Sequence, residues 1–226
     1  MRTIYQGTSQ IHSYSISDIV LYYFIVALIQ TVSSTHFEGW RIEEIKNGKI
    51  DGYLLRPFSY LKEIVITDMA KRMFSLLIFL PIYFAFFSFT QLSVPVTLPT
   101  IQLGSLFFFL LLLGFAYIVE LCIGLIIVLL GFWFEGSQGL EHFKWIVITL
   151  LSGSMIPLEF LPPWLKEITV KLPFQYMYSI PISILQGRYV FKLSDASVIG
   201  VSTLFLLSSV SFLWKRAMYR YASSGG

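Results

Sequence analysis

The densest mixture of reactive side chains in this 226-residue chain runs from Arg41 to Asp51, RIEEIKNGKID, with six charged residues in eleven. Such a cluster could cradle a phosphate, exchange protons or grip a charged partner. Phosphate cradling needs a glycine-rich loop ending in Gly-Lys-Ser/Thr. Here Gly48-Lys49 is followed by Ile50, and the full pattern occurs nowhere. His12, His36 and His142 are scattered without ligand spacing, and Cys122 stands alone in an apolar run, where it reads as a buried small residue. There is no His-Glu-x-x-His and no nucleophile–base spacing in the apolar runs. No catalytic, cofactor-binding or metal-ligating residue is therefore expected. One acid stands apart: Glu120, in YIVELCIGLI. An acid at the centre of a membrane helix costs on the order of 2.5–3.5 kcal/mol, so it should face protein or water. It is either a functional group or a hydrogen-bonded structural contact. Asp68, beside Lys71-Arg72, reads as a surface acid, and Glu135 and Glu141 as solvated or interfacial ones.

The elements around these residues are built to avoid water. The chain is 56% hydrophobic and 13% charged, with mean hydropathy +0.73, against about 25% charged in a soluble domain. That composition indicates an all-α polytopic membrane protein, one transmembrane domain over 1–226. No basic run points to nucleic acid. Spans need ~20 apolar residues, and five are expected: Ile16–Ser33, with Asp18 at its start, Met73–Phe89, Ser105–Gly131, Phe143–Met155 and Ala196–Trp214. Pro95 and Pro99 mark the break between the second and third. The N-terminal MRTIYQGTSQIHSYS is polar and has no signal-peptide pattern. Lys/Arg asymmetry sets the orientation: eleven on the side holding 35–72, Lys144 and the tail, five on the other. The N-terminus is then expected outside and the C-terminus inside, with Trp214 and Tyr219-Arg220-Tyr221 at the inner interface.

Within the quoted stretch, Thr35-x-x-Glu38 has capping-box spacing. Ile42 and Ile45 share a helix face, Trp40 lies near it at a skew, and Arg41, Glu43, Glu44 and Lys46 cover the rest. Asn47-Gly48 is a stop signal, because glycine tolerates the left-handed turn beyond a C-cap. A short helix over 38–47 is expected, then an irregular link to Arg56-Pro57. From the residues alone it is either a solvated connector or a docking element. Residues 157–188 carry Pro157, Pro162, Pro163, Pro173 and Pro181 among apolar side chains that include Trp164 and Phe174. They suggest short helices lying on, or dipping into, the outer leaflet.

Three stretches carry a resemblance: IKNGKIDGYLLRPFSY (45–60), GFWFEGSQGLEHFKWIVITLLSGSMIPLEFLPPWL (131–165) and LPFQYMYSIPISILQGR (172–188). Together they resemble the permease subunits of ABC exporters of the type-2 class, in particular small bacterial six-span permeases. The resemblance implies a multi-pass subunit of the bacterial plasma membrane moving an amphipathic or hydrophobic substrate. It implies a separate soluble ATPase that holds ATP and Mg, and a second permease, copy or paralogue. The coupling helix touching that ATPase would map onto Trp40, Arg41, Ile42, Glu43, Glu44, Ile45 and Lys46. The outer re-entrant gate would map onto Pro157, Pro162, Pro163, Trp164, Phe174 and Pro181. Family members begin with a further span that this sequence is expected to lack. An ion-coupled carrier using Glu120 and a non-transporting scaffold are the other classes.

Overall fold

A computed structural model describes residues 14–55, 59–92, 102–134 and 139–221. The polar N-terminus with His12, the Arg56-Pro57 link, Pro95, Pro99 and Glu135 lie outside them. The described residues form nine α-helices: α1 Ile16–Ser33, α2 Glu38–Lys46, α3 Ile50–Leu54, α4 Tyr60–Gln91, α5 Leu103–Leu130, α6 Gly139–Ser152, α7 Pro163–Lys171, α8 Ser179–Leu185 and α9 Leu193–Arg220. Asp18 starts α1 as expected. Its carboxylate accepts from the Ser15 N–H at 2.9 Å while the Ser15 hydroxyl accepts from the Asp18 N–H at 3.2 Å.

Four stretches are long and apolar enough to cross a membrane: Ile16–Lys46, whose apolar part is α1, then Tyr60–Gln91, Leu103–Leu130 and Leu193–Arg220. The fifth expected span, Phe143–Met155, is corrected. Its helix α6 has 14 residues and is ~21 Å long, too short for ~30 Å of hydrocarbon. The chain leaves the helix at Gly153. The Tyr22 hydroxyl donates to the Gly153 carbonyl at 2.6 Å and the Tyr23 hydroxyl to the Met155 carbonyl at 2.7 Å, so carbonyls beyond the helix end find donors on α1. An apolar run alone does not reveal that its backbone stops being helical part-way.

Helix α5 is the hub. Of its most apolar window 61% is buried, against 0% for α4 and 6% for α9, and it packs on α1, α2, α6, α8 and α9. Its buried face includes Leu112, Ala116, Val119, Cys122 and Leu129. Helices α4 and α9 present Phe74, Leu77, Phe205 and similar side chains outward. One end of the bundle gathers α2, α3, the start of α4, the end of α5 and the end of α9: Tyr60 stacks on Trp214 at 6.1 Å, and Tyr221 donates to Asp51 at 2.6 Å. At the opposite end Tyr14 contacts Phe160, and Arg188 pairs with Asp18 at 2.8 Å. The expected irregular link after α2 contains the short helix α3.

Candidate functional site

Helix α2 ends where Asn47-Gly48 said it would. Gly48 has φ +67°, the Lys49 N–H reaches the Glu44 carbonyl at 2.9 Å and the Gly48 N–H the Ile45 carbonyl at 3.1 Å, a paired closure of the last turn. Its start differs from expectation. The N-cap is Phe37, without a side-chain cap. Thr35 is drawn elsewhere: its hydroxyl donates to the Glu120 carbonyl at 3.3 Å and its own carbonyl accepts from Lys144 Nζ at 2.8 Å.

Glu38 is drawn the same way. Its carboxylate pairs with Lys144 on α6, and Lys144 Nζ also lies 3.3 Å from Glu120 Oε2 on α5. Glu38 is fully buried, and Lys144 and Glu120 are each 5% exposed. Glu120 is thus one corner of a buried ion cluster tying α2 to α5 and α6, beside Thr35 on the α1–α2 link, and not an isolated acid. Gly124, one turn beyond Glu120, makes room for the cluster. A Cβ there would sit 2.6 Å from Glu38 Oε1 and 3.0 Å from Phe37 Cζ. A cavity of about 210 Å³ adjoins it, lined among others by His36, Glu120, Lys144, Trp145 and Tyr178.

The expected coupling residues divide between two faces. Arg41, Ile42 and Ile45 are buried against the protein itself, while Trp40, Glu43 and Lys46 are exposed and Glu44 is half-buried. Arg41 was expected on the outer surface of α2. Instead it pairs with Glu44 at 2.9 Å and with Glu63 of α4 at 2.6 Å, and its guanidinium lies near the rings of Tyr53 on α3 and Tyr60 on α4 at 5.7 and 5.5 Å. A guanidinium buries more readily than an ammonium when planar partners surround it. Arg41 and Lys71 both lie over the Trp40 ring, at 4.1 and 4.7 Å. Asp68 is likewise corrected: it is buried and holds Arg72 at 3.3 Å.

The expected gate residues do not form one cluster. Pro162, Pro163 and Trp164 are exposed around the start of α7, whereas Pro157 and Pro181 are buried. Phe174 lies in an apolar groove with Ile123 of α5 and Ile148 of α6. The chain from Pro173 to Arg188 makes a deep excursion. Tyr178 reaches Ser33, in the last turn of α1, at 3.3 Å, and ten residues later Arg188 meets Asp18 in the first turn. At that end Tyr14 donates to Glu159 at 3.3 Å, and burial first, then the Glu159 charge, pushes its phenol up to about 12, so it stays a donor at physiological pH.

Lys144, Glu38, Thr35 and Gly124 went unrecognised in the sequence as a site. The available signal was a lysine inside the apolar periodicity of FKWIVITL, on the buried side of its helix.

The family model described as ABC-2 family transporter protein matches residues 1–225. The chain belongs to that family. It is accordingly an ABC-2 permease, a multi-pass membrane protein with a transport role. Searches of curated proteins and of solved structures found no match. Among the described residues of this ABC-2 permease, no group of three or more His, Cys, Asp or Glu side chains could hold a metal ion.

Proposed function

We propose that this permease is the membrane subunit of an ATP-driven exporter, moved by a separate ATPase that grips the exposed face of α2. The observation that carries the reading is the two-faced character of α2. One face is locked by Glu38 and Arg41 to α4, α5 and α6; the other offers Trp40, Glu43 and Lys46. A push on the exposed face would pass through buried ion pairs into α4, α5 and α6 as a rigid-body movement. A soluble surface with complementary charges and a pocket for Trp40 fits that face. ATP and Mg belong to the partner in this scheme.

The α2 end of the bundle faces the cytoplasm of a bacterium, and the Asp18–Arg188 end faces out, following the excess of Lys/Arg on the α2 side. The substrate is amphipathic or hydrophobic, and a second permease pairs with the first. The outward-facing row of α4 leaves ample apolar surface for such a pairing. Pairing of Glu120 with Lys144 gives that acid a structural role in the α2 joint, which favours the export reading over an ion-coupled carrier.

The test is co-purification with the partner ATPase and transport-coupled ATP hydrolysis in liposomes. Trp40→Ala with Glu43→Lys should cut association at least tenfold and leave the permease folded, since both side chains are exposed. Lys144→Met should retain association while uncoupling hydrolysis from transport. Undiminished association of the Trp40/Glu43 variant would refute the docking face.

A further inference from the structure

The cytoplasmic-end segment of α9 carries a second feature that the coupling scheme does not use. Phe212, Lys215, Arg216, Tyr219 and Arg220 recur at i, i+3, i+4, i+7 and i+8, so they share one helix face. The opposite face, with Val210 and Ala217, is buried against the protein. With Trp133, just past the end of α5, these five side chains line a cleft of about 580 Å³. The Arg216 guanidinium lies over the Phe212 ring at 5.4 Å. Among the described residues no carboxylate pairs with Lys215, Arg216 or Arg220.

Three cations with no carboxylate partner among the described residues, set between aromatic rings, suit an anion. The position of the face says which kind. Toward the middle of α9 the same strip continues through Ser208, Phe205 and Val201, and Phe205 and Val201 are 69% and 68% exposed. A soluble anion would use only the basic end. A molecule with a charged head and an apolar tail would use the whole strip, its phosphate between Lys215, Arg216 and Arg220 and an acyl chain along Phe212, Phe205 and Val201. Arginine suits this place because its planar fork meets phosphate oxygens in pairs. Clustered Lys/Arg at the end of a membrane helix are attracted to an anionic leaflet. We infer that this face is a binding site for the phosphate headgroup of an anionic phospholipid, with one acyl chain held along α9. The site rests on the orientation proposed above, with the α2 end of the bundle at the cytoplasmic leaflet, and not on coupling to an ATPase.

Native mass spectrometry of the full chain, released from mixed micelles of phosphatidylglycerol and phosphatidylcholine, tests it. The protein should retain phosphatidylglycerol at least tenfold in excess over phosphatidylcholine. The variant Lys215→Gln/Arg216→Gln/Arg220→Gln should lose that preference, and Arg216→Lys should weaken it about threefold. Lys49→Gln/Lys62→Gln removes exposed charge elsewhere on the α2 end and should leave the preference unchanged. Sodium phosphate at equal concentration should compete weakly. Equal retention of the two lipids overturns the proposal, as does a preference that survives the triple variant or falls equally in the Lys49/Lys62 variant. Displacement by phosphate as effective as by lipid would show a site for a soluble anion. Loss of the ATPase alone in the triple variant would assign the face to a protein partner.

Discussion

The two ends of the bundle handle charge in opposite ways. At the α2 end, Glu38, Lys144 and Glu120 are each at least nine-tenths buried and bind three elements through one ammonium group. At the far end, Asp18 and Arg188 meet at 2.8 Å with side chains 32% and 30% exposed. The far-end acid Asp195, which is buried, is satisfied by neutral donors: the Tyr176 and Tyr189 hydroxyls at 3.0 and 2.9 Å and the Lys192 N–H at 2.8 Å. Buried ions are costly to separate, so the α2 end behaves as one rigid joint. Exposed ions separate and re-form freely, so the far end can rearrange without a large electrostatic cost. The drive from α2 proposed above needs that asymmetry.

The largest test removes the shared cation. Lys144→Met leaves two carboxylates buried without a partner and should cost about 3–5 kcal/mol, read as a lower unfolding temperature in detergent. Adding Glu38→Gln to that variant should recover part of the loss, since fewer charges are then stranded, and the double-mutant cycle would measure their coupling. A loss below about 1 kcal/mol for Lys144→Met would mean that the cluster is hydrated in solution and that the contrast between the ends is false.

A smaller effect should come from Gly124→Ala. The added methyl meets Glu38 Oε1 and Phe37, so α2 must lift slightly off α5, at a cost of about 1–3 kcal/mol for overpacking. The same substitution at Gly114, earlier on α5, meets nothing within 4 Å and should be close to neutral. Equal unfolding temperatures for the two variants would show that α2 is not seated on α5 through this contact.

Much of the scaffold was readable from local pattern. The bounds of α1 follow from its apolar run and Asp18, and the end of α2 from Asn47-Gly48, because caps and stops are short-range chemistry. The break between α4 and α5 falls inside 90–104 as expected, with α4 ending at Gln91 and α5 beginning at Leu103. The joint itself was hidden. Glu38 and Lys144 are 106 positions apart, and nothing local distinguishes their pairing from two solvated charges. Arg41 was misplaced for a related reason: a nine-residue helix has no clear apolar stripe, and only α3 and α4 closing over it show which face is inside. Thr35 and Glu38 have the spacing of a cap, but an ammonium on another helix outbid the backbone N–H groups they would have capped.

The smallest effect sharpens the comparison from its far side. Arg188→Gln removes the Asp18 pair and the guanidinium that lies 4.1 Å from the centre of the Tyr14 ring. Both groups of the pair are about a third exposed, so water already screens them, and the expected loss is about 0–1 kcal/mol. Salt separates the two ends more cleanly than the size of the loss does. Over 1 M salt the Debye length falls to about 3 Å, so the difference between wild type and Arg188→Gln should shrink toward zero. The difference for Lys144→Met should change far less, because a pair with both side chains nine-tenths buried is screened much less by bulk ions. If both differences fell together, the α2 end would be as wet as the far end, and a push delivered at α2 would dissipate in loosened ion pairs before reaching α5 and α6.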